Sequence, residues 1–184
     1  MTPASRFRRH RLVDERDLGV EARAAAGDHQ AVKLWLRLLA CSTQVEQAIR
    51  SRLHKRFGIT LARFDCLAQL ERVPEGLSMS ALSRHMMVTG GNVTGLVQTL
   101  VADGWVERRP DPADGRSQIV ALTARGRREF LAMAAEHEQW LQALFQGFEK
   151  THASTLYEML GRLRVHLVER TADEGAAARS RSAR

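Results

Sequence analysis

Gly91, Asn92, Thr94, Gly95 and Gln98 share one face of a stretch whose other face carries Val93, Leu96, Val97, Leu100 and Val101. The apolar set falls at i, i+3, i+4, i+7 and i+8, the spacing of an amphipathic helix. The polar set is an odd choice for a helix, since each glycine costs about 1 kcal/mol relative to alanine in a helix interior. That cost makes sense where the backbone must come close to another surface. Asn and Gln can bond bidentately to adenine in a DNA major groove, and Thr can touch a thymine methyl. A helix N-terminus also attracts phosphate. Ser78 and Ser80, one helix earlier, add hydroxyls to the same candidate contact set.

Just downstream, Arg108, Arg109 and Arg116 flank the turn "DPADGR". The turn separates two short β-like runs, Trp105 to Arg109 and Gln118 to Leu122. A two-stranded ribbon with a basic tip can enter a minor groove, where narrow A-tract geometry concentrates negative potential. Asp111 and Asp114 would repel phosphate, so their expected task is to orient Arg116 or to hold the turn. A blander reading stays open at this point. Amphipathic helices followed by hairpins occur in many folds, and a polar face is often only solvated, as in a helical protein-interaction module.

The elements that must position these residues can be read from periodicity. A first helix is expected over about Asp28 to Phe57, with Trp35, Leu38, Leu39, Val45, Ile49 and Leu53 recurring at three- and four-residue steps, an apolar surface that a symmetric partner would help to bury. A second runs from about Leu61 to Arg72 with Phe64, Leu67, Ala68 and Leu70 inward. Ser78 can cap a third and Thr89 a fourth, which Gly104 stops. Thr123 can cap a long fifth helix bearing Phe130, Met133, His137, Leu141, Leu144, Phe145 and Phe148. A sixth is expected over about Ser154 to Glu169. The order α-α-α-α-β-β-α-α predicts a mainly α fold with a small β-wing, a winged helix-turn-helix. Residues 1–27 read as a mobile basic arm, 28–170 as the folded domain, and 171–184 as a disordered tail.

The totals agree without deciding the matter. The chain has 184 residues, net charge +7 and 44% hydrophobic residues. The two tails hold nine Arg against six Asp/Glu, so +3 of the excess lies outside the expected domain. Placement therefore says more than the sum. No apolar run approaches the roughly 18–20 residues of a membrane span, and no signal-peptide core follows the N-terminal arginines, which predicts a cytoplasmic protein. Cys41 and Cys66 make no disulfide framework, and no cluster suggests a metal or cofactor. The sequence carries no P-loop, nucleophile elbow or HExxH motif, so no enzymatic activity is expected.

The segment "LSMSALSRHMMVTGGNVTGLVQTLVADGWVERRPDPADGRSQIVALTARG" resembles the MarR family of winged-helix transcriptional regulators, within a match of about residues 30–168. The family's wing signature stands at Asp111, Asp114 and Arg116. Many members carry Arg where Gly115 stands here. "LWLRLLACSTQVEQAIRSRL", "TLARFDCLAQLER" and "MMVTGGNVTG" further resemble the branch that controls aromatic-acid breakdown, including members responding to hydroxycinnamoyl-CoA thioesters.

The resemblance implies a DNA-binding lobe over about 60–123, a homodimer platform from helices over about 28–57 and 123–170, and a pseudo-palindromic DNA operator. It also implies a repressor released by a small aromatic acid or acyl-CoA effector held between platform and lobe. Arg37, Cys41, Arg63, Phe64 and Leu67 are the matching candidates to line that site, with arginine for an anionic group and apolar residues for a ring. An oxidant-sensing role for Cys41 and Cys66 is the competing possibility within the family. Their apolar neighbours favour buried structural thiols instead.

Overall fold

The computed structural model describes residues 29–86, 93–111 and 117–182, with side chains as far as Asp173. The arm expected over residues 1–27 lies outside this range. Six helices and three strands follow one another as α1 (Gln30–Phe57), α2 (Leu61–Glu71), β1 (Leu77–Ser78), α3 (Met79–His85), α4 (Val93–Ala102), β2 (Val106–Pro110), β3 (Gln118–Leu122), α5 (Ala124–Phe145) and α6 (Lys150–Ser182). The mainly helical class with a small wing is therefore observed. The chain divides into two compact units, one ending at Trp140 and the other beginning at Leu141.

Local chemistry explains most of the element boundaries. Gly58, in the left-handed conformation at φ 67°, closes α1. The Thr60 hydroxyl accepts from the Arg63 amide and starts α2. Ser78 does the same for α3 through the Ala81 amide, at 3.2 Å. Thr123 accepts from the Gly126 amide at 2.9 Å and starts α5. After α4 the chain turns at Gly104, and the Trp105 amide reaches back to the Leu100 carbonyl at 3.0 Å.

The sheet has the order β1-β3-β2, all antiparallel. Strand β1 was not expected, because two residues cannot show an alternating pattern. Leu77 pairs with Val120 and Ser78 with Ile119, so β1 is defined by a partner some 40 residues away in sequence. Gly76 makes the approach possible. It lies at φ 90°, and a Cβ there would stand 2.7 Å from the Val120 carbonyl oxygen.

In the first unit, Leu53, Leu67, Leu70, Leu82, Val97, Leu100, Val106 and Val120 are fully buried or nearly so, joined by Phe64, Phe130 and Met133. This is the core expected from α2 onward. The apolar stripe of α1 is fully buried only toward its C-terminal end. Only Ile49 and Leu53 of α1 are buried, while Trp35 and Leu39 are exposed. Phe145 at the end of α5, Phe148 in the link after it, and Leu156 and Met159 on α6 are exposed too, while Leu163 is half-buried.

The tail expected to be disordered is corrected too. Helix α6 continues past Glu169 to Ser182. Its added stretch contains Ala and Arg, residues of high helix propensity, which offset Gly175. Among the described residues, no helix is long and apolar enough to cross a membrane.

Candidate nucleic-acid interface

Helix α4 is anchored by one face. Val97 and Leu100 are fully buried, and the helix packs on α2, α3 and β2. The opposite face leaves Thr94 and Gln98 exposed and Gly95 half-buried. The Thr99 hydroxyl turns back to the Gly95 carbonyl at 2.9 Å, so it does not compete for that outer face. Thr89, Gly91 and Asn92, expected at the start of this helix, lie outside the described residues.

Helix α3 packs against α4 and presents Ser80 beside its capping Ser78, their hydroxyl oxygens 3.1 Å apart. Arg84 and His85 stand exposed in its last turn. Sequence reasoning passed over both, because cations in a last turn are expected on dipole grounds alone.

The wing is a ladder in which Arg108 faces Val120, Arg109 faces Ile119 and Pro110 faces Gln118. The Asp111 amide donates to the Ser117 carbonyl at 3.0 Å and closes the last described rung. Asp114 and Arg116 lie outside the described residues. Arg108 is exposed. Arg109 is exposed as well, and its guanidinium donates to the Glu75 carbonyl at 2.6 Å, which ties the wing to the turn before β1.

The expected effector residues are divided between core and surface. Leu67 is fully buried, and Phe64 sits in the core 5.5 Å from the Phe130 ring and 4.8 Å from the His137 ring. Burial holds the His137 imidazole below its ordinary pKa, as befits a core histidine. Arg63 is occupied by Asp103 and lies over the Trp105 ring. Arg37 and Cys41 are exposed on α1. A cavity of about 390 Å³ does lie beside α1 and the start of α2, but Gln47, Arg50, Ser51, His54, Ile59 and Thr60 line it.

Cys66 is fully buried, and burial with the neighbouring Asp65 carboxylate pushes its thiol up to about 12. Cys41 is exposed rather than buried, which corrects the expectation of two buried thiols. Among the described residues, no group of His, Cys, Asp and Glu could hold a metal ion.

A short helix, a second helix with a polar outer face and an adjoining basic β-ribbon define a winged helix-turn-helix. The MarR family model matches residues 57–117. The transcriptional activatory protein BadR of Rhodopseudomonas palustris is 30% identical over 67% of this chain and 71% of its own length. The regulator PecS of Dickeya dadantii is 30% identical over 69% and 77% respectively. A MarR family regulator from Silicibacter pomeroyi superposes with a TM-score of 0.65 at 33% identity, over 78% of this chain and 99% of that one. The chain belongs to the MarR family of transcriptional regulators, and it is a DNA-binding protein rather than an enzyme.

Proposed function

We propose that the protein works as a homodimer that places α4 of each protomer in successive major grooves of a pseudo-palindromic operator. Thr94, Gly95 and Gln98, with Gly91 and Asn92 preceding them in sequence, read base edges. Ser78, Ser80, Arg108 and Arg116 meet the sugar-phosphate backbone or the minor groove, and Asp111 and Asp114 shape the wing. The observation that carries this reading is the division of α4, with Val97 and Leu100 wholly buried and Thr94 and Gln98 turned outward. Base-edge contacts confer specificity and phosphate contacts confer salt-dependent affinity.

The test separates these two roles. A duplex is selected by the parent protein from a randomised library, and a scrambled duplex serves as control. Gln98→Ala and Asn92→Ala weaken binding to the selected duplex by roughly 1–3 kcal/mol each and leave the scrambled duplex unaffected. Arg108→Ala and Arg116→Ala weaken both and flatten the salt dependence. Unchanged binding by all four folded variants refutes the reading.

The regulatory part of the proposal is repression relieved by a small aromatic acid or its CoA thioester. Support comes from the cavity beside α1 and α2, whose volume falls within the usual range of ligand sites. Arg50 offers a guanidinium to a carboxylate, though in the free chain it pairs with Glu46. His54, Ser51 and Gln47 supply further polar groups. BadR is an activator by its name, and the same protein–DNA geometry can serve either sign according to where the operator lies relative to a promoter. Titrating p-coumarate and p-coumaroyl-CoA into the complex with the selected duplex tests the effector. Release by one of them, abolished in Arg50→Ala and His54→Ala, is expected. Lack of release by both overturns this effector class.

A further inference from the structure

The two residues flanking Gly104 are held by a side chain from another helix. Arg63, in the first turn of α2, forms an ion pair with Asp103, the residue just after α4. Its guanidinium carbon also lies 5.2 Å from the centroid of the Trp105 ring, at the entrance to β2. The Arg63 side chain is only 17% exposed. Its Nε and the Trp105 indole nitrogen are both buried without a partner. An arginine that merely covered apolar surface would keep its head group in water. Here the planar group gives up solvent to satisfy one carboxylate and one ring face. The partners occupy the short turn joining the C-terminal end of α4 to the wing.

We propose that Arg63 is a positioning residue for DNA reading: it fixes the C-terminal end of α4 and the root of the wing on α2 without itself touching DNA. The proposal rests on the reading that α4 is the helix that reads base edges. Buried contacts hold α4 on one face through Val97 and Leu100. Such packing restrains a helix against lifting off better than against small rotation about its axis. A charged, stacked clasp at the turn restrains that rotation. Operator recognition depends on side chains placed within a fraction of an ångström, whereas phosphate attraction tolerates looser placement.

The same anchor meets the cavity wall. Thr60 lines the cavity, and its hydroxyl accepts from the Arg63 amide at 3.2 Å. A change in the first turn of α2 would therefore be felt at the turn after α4.

A double-mutant cycle tests the clasp on the full chain. Arg63→Gln, Asp103→Asn and the double variant are compared with the parent for binding to the selected and the scrambled duplex at one salt concentration, beside thermal unfolding. Each single variant is expected to bind the selected duplex about tenfold more weakly, with less than about twofold change on the scrambled one. The double variant should lose no more than either single, and Arg63→Lys should recover part of the loss. Asp103→Asn alters the more exposed partner, so the cycle keeps a folded arm even where the Arg63 change lowers yield. Equal weakening on both duplexes, additive losses, or lower unfolding midpoints with unchanged affinity for the selected duplex would each overturn the proposal. Failure of the α4 reading itself is separate, because it appears as unaltered selected-duplex binding in Gln98→Ala and Asn92→Ala.

Discussion

Gly126, in the first turn of α5, lies so close to Trp105 that a Cβ on it would overlap the Trp105 carbonyl oxygen and crowd its Cα. Both groups are backbone, so neither can swing aside. Thr123 tightens the same junction. It donates its hydroxyl hydrogen to the Gly104 carbonyl at 2.8 Å, and its amide hydrogen to the Trp105 carbonyl at 3.0 Å. Gly126→Ala must therefore push the start of α5 away from the wing root. A loss of about 3 kcal/mol or more in denaturant unfolding is expected, at the upper end of overpacking changes. A loss below about 1 kcal/mol would mean the junction yields freely.

His137 predicts how stability depends on pH. Burial lowers its folded-state pKa from the usual 6.5, so the unfolded chain binds the proton more readily. Stability from this group is intact above about pH 6.5, declines as pH falls toward the folded value, and is fully lost below it. His137→Leu removes that slope. Urea midpoints at about pH 7.5 and about pH 5.5 should converge more closely in the variant than in the parent. Equal declines in both proteins would assign the acid sensitivity to other groups.

How far these features were legible from residues alone follows from the range of the interactions involved. The stripe on α4 and the caps at Ser78 and Thr123 were legible because each lies within a few residues. Strand β1 was not, since only its pairing with β3 defines it. Arg63 looked like an anion ligand because its partners, Asp103 and Trp105, are about 40 residues distant and no local pattern marks them. Phe64 and Leu67 had the right composition for a pocket, but apolar pocket walls and apolar cores have the same residue types. Only packing tells them apart. Trp35 and Phe145 were recognisable as apolar, yet whether they face their own core or another surface is a property of the folded chain.

The two thiols should behave differently. With its pKa pushed up to about 12 and no solvent exposure, Cys66 is a thiol rather than a thiolate at neutral pH. A disulfide exchange reagent at neutral pH should leave Cys66 unmodified in the folded Cys41→Ser variant and modify it on unfolding. Hydrogen peroxide should leave DNA binding by that variant unchanged. A peroxide-induced loss reversed by thiol would instead assign a redox role to Cys66.

Apolar exposure gives the last prediction. Trp35 is 60% exposed, Phe145 54% and Met159 63%. Leu163 alone among the described α6 side chains is as much as half-buried. Leu156, Met159, Leu160 and Leu167 of this long helix are left about half in water. Complete burial of such a side chain is worth roughly 1.5–3 kcal/mol, so covering the remainder would gain about half of that for each. A second copy of the chain covers equivalent faces at once, because a two-fold contact uses the same patch twice. In the proposed dimer, two copies of α4 would face half-sites about 34 Å apart. Light scattering should accordingly give twice the chain mass, and Trp35→Asp or Met159→Asp should shift it toward one. Those variants should bind the selected duplex weakly and without preference for paired half-sites, while Arg108→Ala stays dimeric. A parent protein of single-chain mass at micromolar concentration would remove the two-fold arrangement and leave these faces for a different partner.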